Sequence, residues 1–364
     1  MVSKLLNNFK TLLIIIVFSM VVNIIFANNS EAACKKNADG AILLEANSSF
    51  DSKPFALAGT SAYDQDSCNE EPLYYKVKFY RVALCSSDPY TTANGTFNNT
   101  AGPDLSSCTN VFSGEKELEI EPDAAVDLID SDIILPLGSY KYAIVLVSNH
   151  ISVKHYHEIV LANGNAATIY GYHASSDATG TVCYSGYKSG TTEFLTTYNN
   201  ELQAGAVTTL HGLTLPTVDA GTSAGAKWKC GSSSDATSGL AYAIEIIDHL
   251  GDDRYLTDNE NFRNFNAYGT ITTSLPMSMA AYMMQNNGLD LGTTIENSTR
   301  ILGIYNYDNP VVITEDTSSM ELQINTSEGI SLDFSVNTIT DRIYAAKVGA
   351  DPFFLRFVTG GRLD

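Results

Sequence analysis

Two familiar metal-site patterns are missing from the sequence. No Cys-x-x-Cys pair occurs among the six cysteines, which leaves a zinc ribbon or a thioredoxin-type redox centre without support. The spacing of an EF-hand calcium loop is also missing, although residues 248–262 concentrate five acidic side chains. We interpret that acidic stretch as a solvated loop, with calcium binding as the alternative.

Basic residues are scarce. The chain has 21 lysines and arginines against 41 aspartates and glutamates, a formal net charge of −20. Such a field repels nucleic acid and anionic membrane surfaces, so nucleic acid is excluded as a partner class. The acidic balance does suit the solubility of a surface protein.

Long hydrophobic runs are almost absent, and the clearest one lies near the N-terminus. Lys4 and Lys10 precede an apolar run over 12–27, and small residues follow it up to Ala33. This order is typical of a secretory signal peptide, which we assign to residues 1–33. A retained anchor is an alternative, but the run is short for a membrane span of about 20 residues. A lipoprotein acylated at Cys34 is another, although Glu31 does not suit such a signal.

All six cysteines follow the predicted signal, and an even number in an oxidising compartment indicates disulfides. Six cysteines allow about 15 connectivities, so the sequence alone does not select one. The simplest expectation is neighbour pairing: Cys34–Cys68, Cys85–Cys108 and Cys183–Cys230. The second pair would close a polar loop and stabilise the fold by about 3 kcal/mol.

Alternating strands dominate the sequence after the signal. The clearest strand covers 73–85, where aromatic and β-branched residues alternate with lysines. We predict two more strands, one over 135–149 and one that continues from 150 and ends in an Asn163-Gly164 turn. The overall prediction is a mainly β protein with two antiparallel, sandwich-like domains, one over 34–170 and one over 171–364. The second domain is expected to contain one or two short helices.

One strand start carries a resemblance. Leu135-Pro136-x-Gly138-x-Tyr140 resembles the L-P-x-G-x-Y strand start of secreted prealbumin-like and immunoglobulin-like modules. The resemblance covers only that strand and its turn. It implies a sandwich and no particular activity.

Two segments have helix signals. Residues 274–288 offer Ser274 as a cap, Pro276 in the first turn and Asn287-Gly288 at the exit. Residues 238–251 also fit a helix, with a strand over 241–247 as the alternative. The related stretches SSDATG (175–180) and SSDATSG (233–239) are interpreted as equivalent turns beside one disulfide, with an internal repeat as the alternative.

A His-x-His pair is the strongest metal candidate. His155 and His157 point the same way on a strand, so both could reach one zinc ion. Their parity matches the apolar residues around them, and two buried histidines are the alternative. His150 and His173 are the candidates for a third ligand. No cofactor is predicted, with calcium or zinc as the alternatives.

Gly221-x-Ser223-x-Gly225 matches the G-x-S-x-G pattern of esterases, but its flanks lack the strand and helix that the pattern requires. His211 and Asp219 lie nearby in the sequence. We interpret the stretch as a glycine-rich loop rather than as a catalytic elbow.

Tryptophan occurs once, against 20 tyrosines and 15 phenylalanines. Exposed tyrosines can stack on sugars or serve partner surfaces. The loop between Cys85 and Cys108 therefore gives three binding candidates: Tyr90, Asn94 and Phe97.

These features predict an exported, non-catalytic protein that acts through surface contacts, as a structural or adhesive subunit of the cell surface or extracellular space. In a bacterial source it would be periplasmic or on the outer surface. Its expected partners are its own copies, other surface proteins or glycans, and no membrane span is expected after signal cleavage. The alternative is a carbohydrate- or ligand-binding module of the envelope. A third candidate is a secreted hydrolase or a metal-dependent enzyme.

Overall fold

The protein is described by a computed structural model, in which 17 stretches of the chain are placed. They are residues 33–46, 55–57, 67–90, 102–122, 125–129, 133–161, 168–171, 179–185, 193–197, 209–210, 213–214, 228–240, 242–247, 266–272, 277–292, 297–337 and 342–361. The predicted signal peptide lies outside these residues except for Ala33. The account below concerns the described residues.

The described chain is mainly β. Its first half contains β1 (Ile42–Ala46), β2 (Phe55–Leu57), β3 (Ser67–Glu70), β4 (Tyr74–Cys85), β5 (Cys108–Ile120), β6 (Ala125–Val126), β7 (Gly138–Lys154), β8 (Tyr156–Leu161), β9 (Ile169–Gly171), β10 (Thr179–Gly180) and β11 (Val182–Ser185). The rest contains β12 (Glu193–Thr197), β13 (Thr209–Leu210), β14 (Leu213–Thr214), β15 (Trp228–Gly231), α1 (Ser233–Gly239), β16 (Tyr242–Ile246), β17 (Asn266–Thr272), β18 (Met277–Met284), β19 (Arg300–Ile313), β20 (Thr317–Asn325), β21 (Ile330–Asn337), β22 (Arg342–Ala350) and β23 (Phe354–Gly361).

The large sheet is organised around β7. Strand β4 runs along one edge of β7, while β19 and then β16 run along the other. The ends of β19 and β16 meet beside Asn149, whose side-chain amide donates to Ile247 O and Ser298 O, both at 2.9 Å. Strands β5, β12, β18 and β17 extend the sheet outward. One buried asparagine therefore joins two strands that lie end to end.

Pairing continues across residue 170. Strand β7 pairs with β16 and β19, β3 pairs with β21, β6 pairs with β20, and β9 pairs with β22. The expected boundary between 34–170 and 171–364 therefore does not divide the sheets among the described residues. Local alternation marks where strands occur but does not encode which distant strand pairs with which. Most pairs are antiparallel, while β1–β8, β12–β16 and β9–β22 are parallel.

The large sheet buries apolar residues on both faces. Its inner face joins the main core, in which Tyr75, Val77 and Phe79 are at most 1 % exposed. The smaller sheets contribute further residues to that core. The opposite face carries a second apolar cluster that includes Ile144 and Tyr282. A two-sided core explains why several strands of this sheet are apolar throughout.

The helix predicted over 274–288 is wrong, because residues Met277–Met284 form strand β18. Met279 and Met283 pack into the main core, while Tyr282 and Met284 pack into the second cluster. A strand that is buried on both faces shows no alternation, and its methionines and alanines favour a helix when taken alone. Gly288 follows in a turn with φ of +67°.

The one described helix is α1, which occupies the SSDATSG stretch that was expected to be a turn. Ser232 caps it by accepting from Asp235 N, and the Asp235 side chain accepts from Ser232 N. This reciprocal pair is a capping box. Residues 242–246 form a strand, as in the alternative to the helix over 238–251.

The predicted strand over 73–85 is confirmed as β4. The two strands predicted on either side of residue 149 are not separated there. Strand β7 continues to Lys154, and His155 is the residue between β7 and β8. At the start of β7, the Tyr140 hydroxyl donates to Pro136 O at 2.7 Å. This bond stabilises the turn of the L-P-x-G-x-Y stretch and is entirely local.

Three disulfides join Cys34–Cys68, Cys85–Cys108 and Cys183–Cys230. These are the three neighbour pairs. A disulfide at Cys34 uses the sulfur that a lipid anchor would require, which argues against acylation there.

Candidate functional site

The histidine pair lies in the interior. His155 is fully buried at the break between β7 and β8, and His157 is 9 % exposed on β8. Their rings are nearly parallel, with centroids 5.6 Å apart. No group of three potential ligand side chains occurs among the described residues. His150 lies on the opposite face of β7, and His173 lies outside the described residues.

Burial sets the ionisation of these histidines. Desolvation is the main cause that lowers the pKa of His157 to about 3, and the charge of Lys36 adds to it. Desolvation also lowers the pKa of His155 well below its ordinary value, with a further contribution from His157. Both imidazoles are therefore neutral at physiological pH.

The remaining enzyme candidates of the sequence lie outside the described residues. They are Ser223 with its two glycines, His211, Asp219 and the acidic stretch over 248–262.

The described ends of the cysteine-bounded loop cover part of the sheet. Tyr90 is half-buried, and its ring stacks on Tyr282 with centroids 5.1 Å apart. Leu105 packs against the same apolar cluster. Tyr90 therefore contributes to packing, whereas the other two binding candidates, Asn94 and Phe97, lie outside the described residues.

Beyond that cover, the same face of the large sheet presents an open polar and aromatic surface. We call it the tyrosine–lysine face, and it consists of Tyr74, Lys76, Glu119, Lys154 and Tyr242. Glu119 is exposed and the other four side chains are half-exposed. Alternation along β4 produces part of this face. Tyr75 and Val77 point inward and are buried, so Tyr74 and Lys76 lie on the outer side of the strand.

The ring of Tyr242 lies across several strands. Its hydroxyl donates to a carboxylate oxygen of Glu119, although β7 and β4 lie between their strands. The ammonium of Lys154 lies 4.2 Å from the ring centroid, and that of Lys76 lies 4.4 Å from it. Lys154 is also 5.3 Å from the ring of Tyr74. Cation–π contacts of this kind add stability at partly exposed sites.

The electrostatics of the face keep Tyr242 protonated. Partial burial raises the pKa of its hydroxyl, and the hydrogen bond to Glu119 raises it further. Among the described residues, Lys154 has no carboxylate within ion-pair distance. The face therefore combines an anchored ring, the carboxylate of Glu119 and a lysine, Lys154, that forms no ion pair with the carboxylates of the described residues.

A small cavity lies beneath the inner face, between the large sheet and residues 351–353. Its volume is about 70 Å³, and most of the side chains that line it are apolar. An apolar cavity that binds benzene has a volume of about 150 Å³. Because the cavity in this protein is smaller than that, we interpret it as a packing void rather than as a ligand site.

The chain matches no protein-family model, no curated protein and no solved structure. Among the described residues, no helix is long and apolar enough to span a membrane.

Proposed function

We propose that this is an exported, non-catalytic protein of the cell surface or extracellular space, which acts through contacts made by the tyrosine–lysine face. In this role it serves as a structural or adhesive subunit.

Two features support export. The N-terminal pattern of basic, apolar and small residues is that of a secretory signal. The three disulfides are typical of proteins from oxidising compartments.

The tyrosine–lysine face is the observation that carries the proposed role. Tyrosine is enriched at protein and ligand interfaces because its ring buries a large area and its hydroxyl bonds to a polar partner. Here two half-exposed tyrosines lie on a rigid sheet, and Tyr242 is already held by Glu119 and two lysines. Such pre-organisation reduces the entropy that binding costs.

A carbohydrate- or ligand-binding module of the envelope is the second candidate. The half-exposed ring of Tyr242 favours it, because an aromatic ring beside hydrogen-bonding groups suits a sugar. The third candidate, a secreted hydrolase or metal-dependent enzyme, depends on Ser223 or on a third ligand for His155 and His157. Ser223 lies outside the described residues. The described residues supply no third ligand for the two histidines.

Two assays test the proposed role on the purified mature protein. Negative-stain microscopy detects filaments or lattices, and a sedimentation assay measures attachment to the cells that produce the protein. Tyr242→Ala is expected to reduce assembly or attachment at least tenfold, while the exposed control Leu137→Ala leaves both unchanged. A protein that neither assembles nor attaches would contradict the proposed role.

A further inference from the structure

We propose that the tyrosine–lysine face binds a saccharide that carries an anionic group, either a carboxylate or a sulfate. This proposal rests on the proposed function, since it names the partner that the same face recognises.

The aromatic part of the face suits the apolar side of a sugar ring. The ring of Tyr242 is half-exposed, and its orientation is fixed at one end by the bond to Glu119. The ring of Tyr74 lies next to it, since Lys154 contacts both rings. The two tyrosines therefore offer partly exposed aromatic rings beside hydrogen-bonding groups, which is the combination that amphipathic ligands require.

The lysines of the face favour an anionic ligand. The whole chain carries a net charge of −20, which repels anions over most of its surface. At this face the ammonium groups of Lys76 and Lys154 lie 4.4 and 4.2 Å from one ring centroid, and this local concentration of positive charge attracts an anion. Lys154 has no carboxylate within ion-pair distance among the described residues, so it can take an anionic partner without breaking an ion pair.

Glu119 supplies the hydroxyl-binding function that a sugar needs. Its exposed carboxylate accepts from Tyr242 and retains acceptor capacity for ligand hydroxyls. A simple anion such as free sulfate would be repelled by this carboxylate, whereas a sugar can offer hydroxyls to Glu119 and its acidic group to the lysines. The arrangement thus favours an acidic saccharide over a bare anion.

A glycan array tests the proposal directly. It presents uronate-containing, sialylated and sulfated oligosaccharides, each beside a neutral counterpart with the same sugar backbone. The mature disulfide-bonded protein is expected to bind at least one acidic member tenfold more tightly than its neutral counterpart. Raising the salt concentration from about 0.15 M to about 1 M should weaken that binding several-fold, because screening is stronger.

Matched variants assign the binding to the face. Lys154→Met is expected to reduce affinity for the acidic glycan at least fivefold, whereas Lys141→Met, an exposed control on the same strand, leaves it unchanged. Tyr242→Ala should abolish detectable binding. Tyr242→Phe keeps the ring but loses the bond to Glu119, so it should bind more weakly than the wild type and more tightly than the alanine variant. This graded loss protects the test from misfolding of the alanine variant.

Two outcomes would overturn the proposal: no acidic glycan binding better than its neutral counterpart, or equal loss of binding in the Lys154 and Lys141 variants. The proposed function fails separately. If Tyr242→Ala removes assembly or cell attachment while no acidic glycan binds, the contact role stands and the saccharide assignment is wrong.

Discussion

Acidification from pH 7 to pH 5 is expected to destabilise the protein through the buried histidine pair. The folded-state pKa of His157 is about 3, while an unfolded histidine titrates near 6.5. The unfolded chain therefore binds more protons than the folded chain below about pH 6.5. The contribution of neutral His157 to the free energy of unfolding is fully present above that pH, and this contribution falls as the pH is lowered towards 3.

The magnitude follows from this difference in pKa. At pH 5 the unfolded histidine is almost fully protonated and the folded one is neutral, so His157 alone lowers the free energy of unfolding by about 2 kcal/mol. His155 acts in the same direction, because burial also lowers its pKa. Glu70 acts in the opposite direction. Desolvation raises the pKa of Glu70 despite the ion pair with Lys36. Protonation of Glu70 on acidification therefore removes part of a buried negative charge that destabilises the folded state.

The assay is urea unfolding of the oxidised protein at pH 7, 6 and 5. A His157→Gln variant separates the histidine effect from that of Glu70, and its stability should fall by about 2 kcal/mol less than that of the wild type over this range. His150→Gln is the matched control, since His150 is half-buried on the other face of β7. Equal pH dependence in the wild type and His157→Gln would refute the reasoning.

Three further predictions concern stability. Replacing Cys85 and Cys108 with alanine should cost about 3 kcal/mol in chemical unfolding, and non-reducing peptide mapping of the wild type should link these two residues; a different link would contradict the fold. Tyr305→Phe and Tyr307→Phe should each cost about 1 kcal/mol, because their hydroxyls donate to buried carbonyls of the C-terminal segment at 2.8 and 2.7 Å. Denaturation midpoints equal to that of the wild type would refute this. Gly288→Ala should cost more than about 1 kcal/mol, because φ is +67° and the added Cβ would clash with the side chain of Leu146. An unchanged melting temperature would show that the turn is wrong.

Part of the fold could be predicted from local pattern. Strand β4 alternates between buried apolar residues and half-exposed polar ones, so its sequence identifies both the strand and its inward face. Strand β18 is buried on both faces, and nothing in its own sequence distinguishes it from a buried helix. The signal for α1 was present in the capping box of Ser232 and Asp235, although its short length made it resemble a turn.

Only part of the tyrosine–lysine face could be predicted from the sequence. The parity of β4 places Tyr74 and Lys76 on one outward face. Tyr242 reaches that face only because β16 pairs with the end of β7, which in turn pairs with β4. Long-range pairing of this kind is decided by the packing of the whole chain. No local pattern could therefore have joined Tyr242 to Glu119.

The most direct test of the contact surface is hydroxyl-radical footprinting of tyrosine side chains, with the protein free and attached to the cells that produce it. Attachment should reduce the oxidation of Tyr74 and Tyr242. Tyr80 is the internal control, because the guanidinium of Arg300 lies 3.6 Å from its ring centroid in the free protein. Unchanged oxidation of Tyr242 in the attached protein would contradict the assignment of the tyrosine–lysine face as the contact surface.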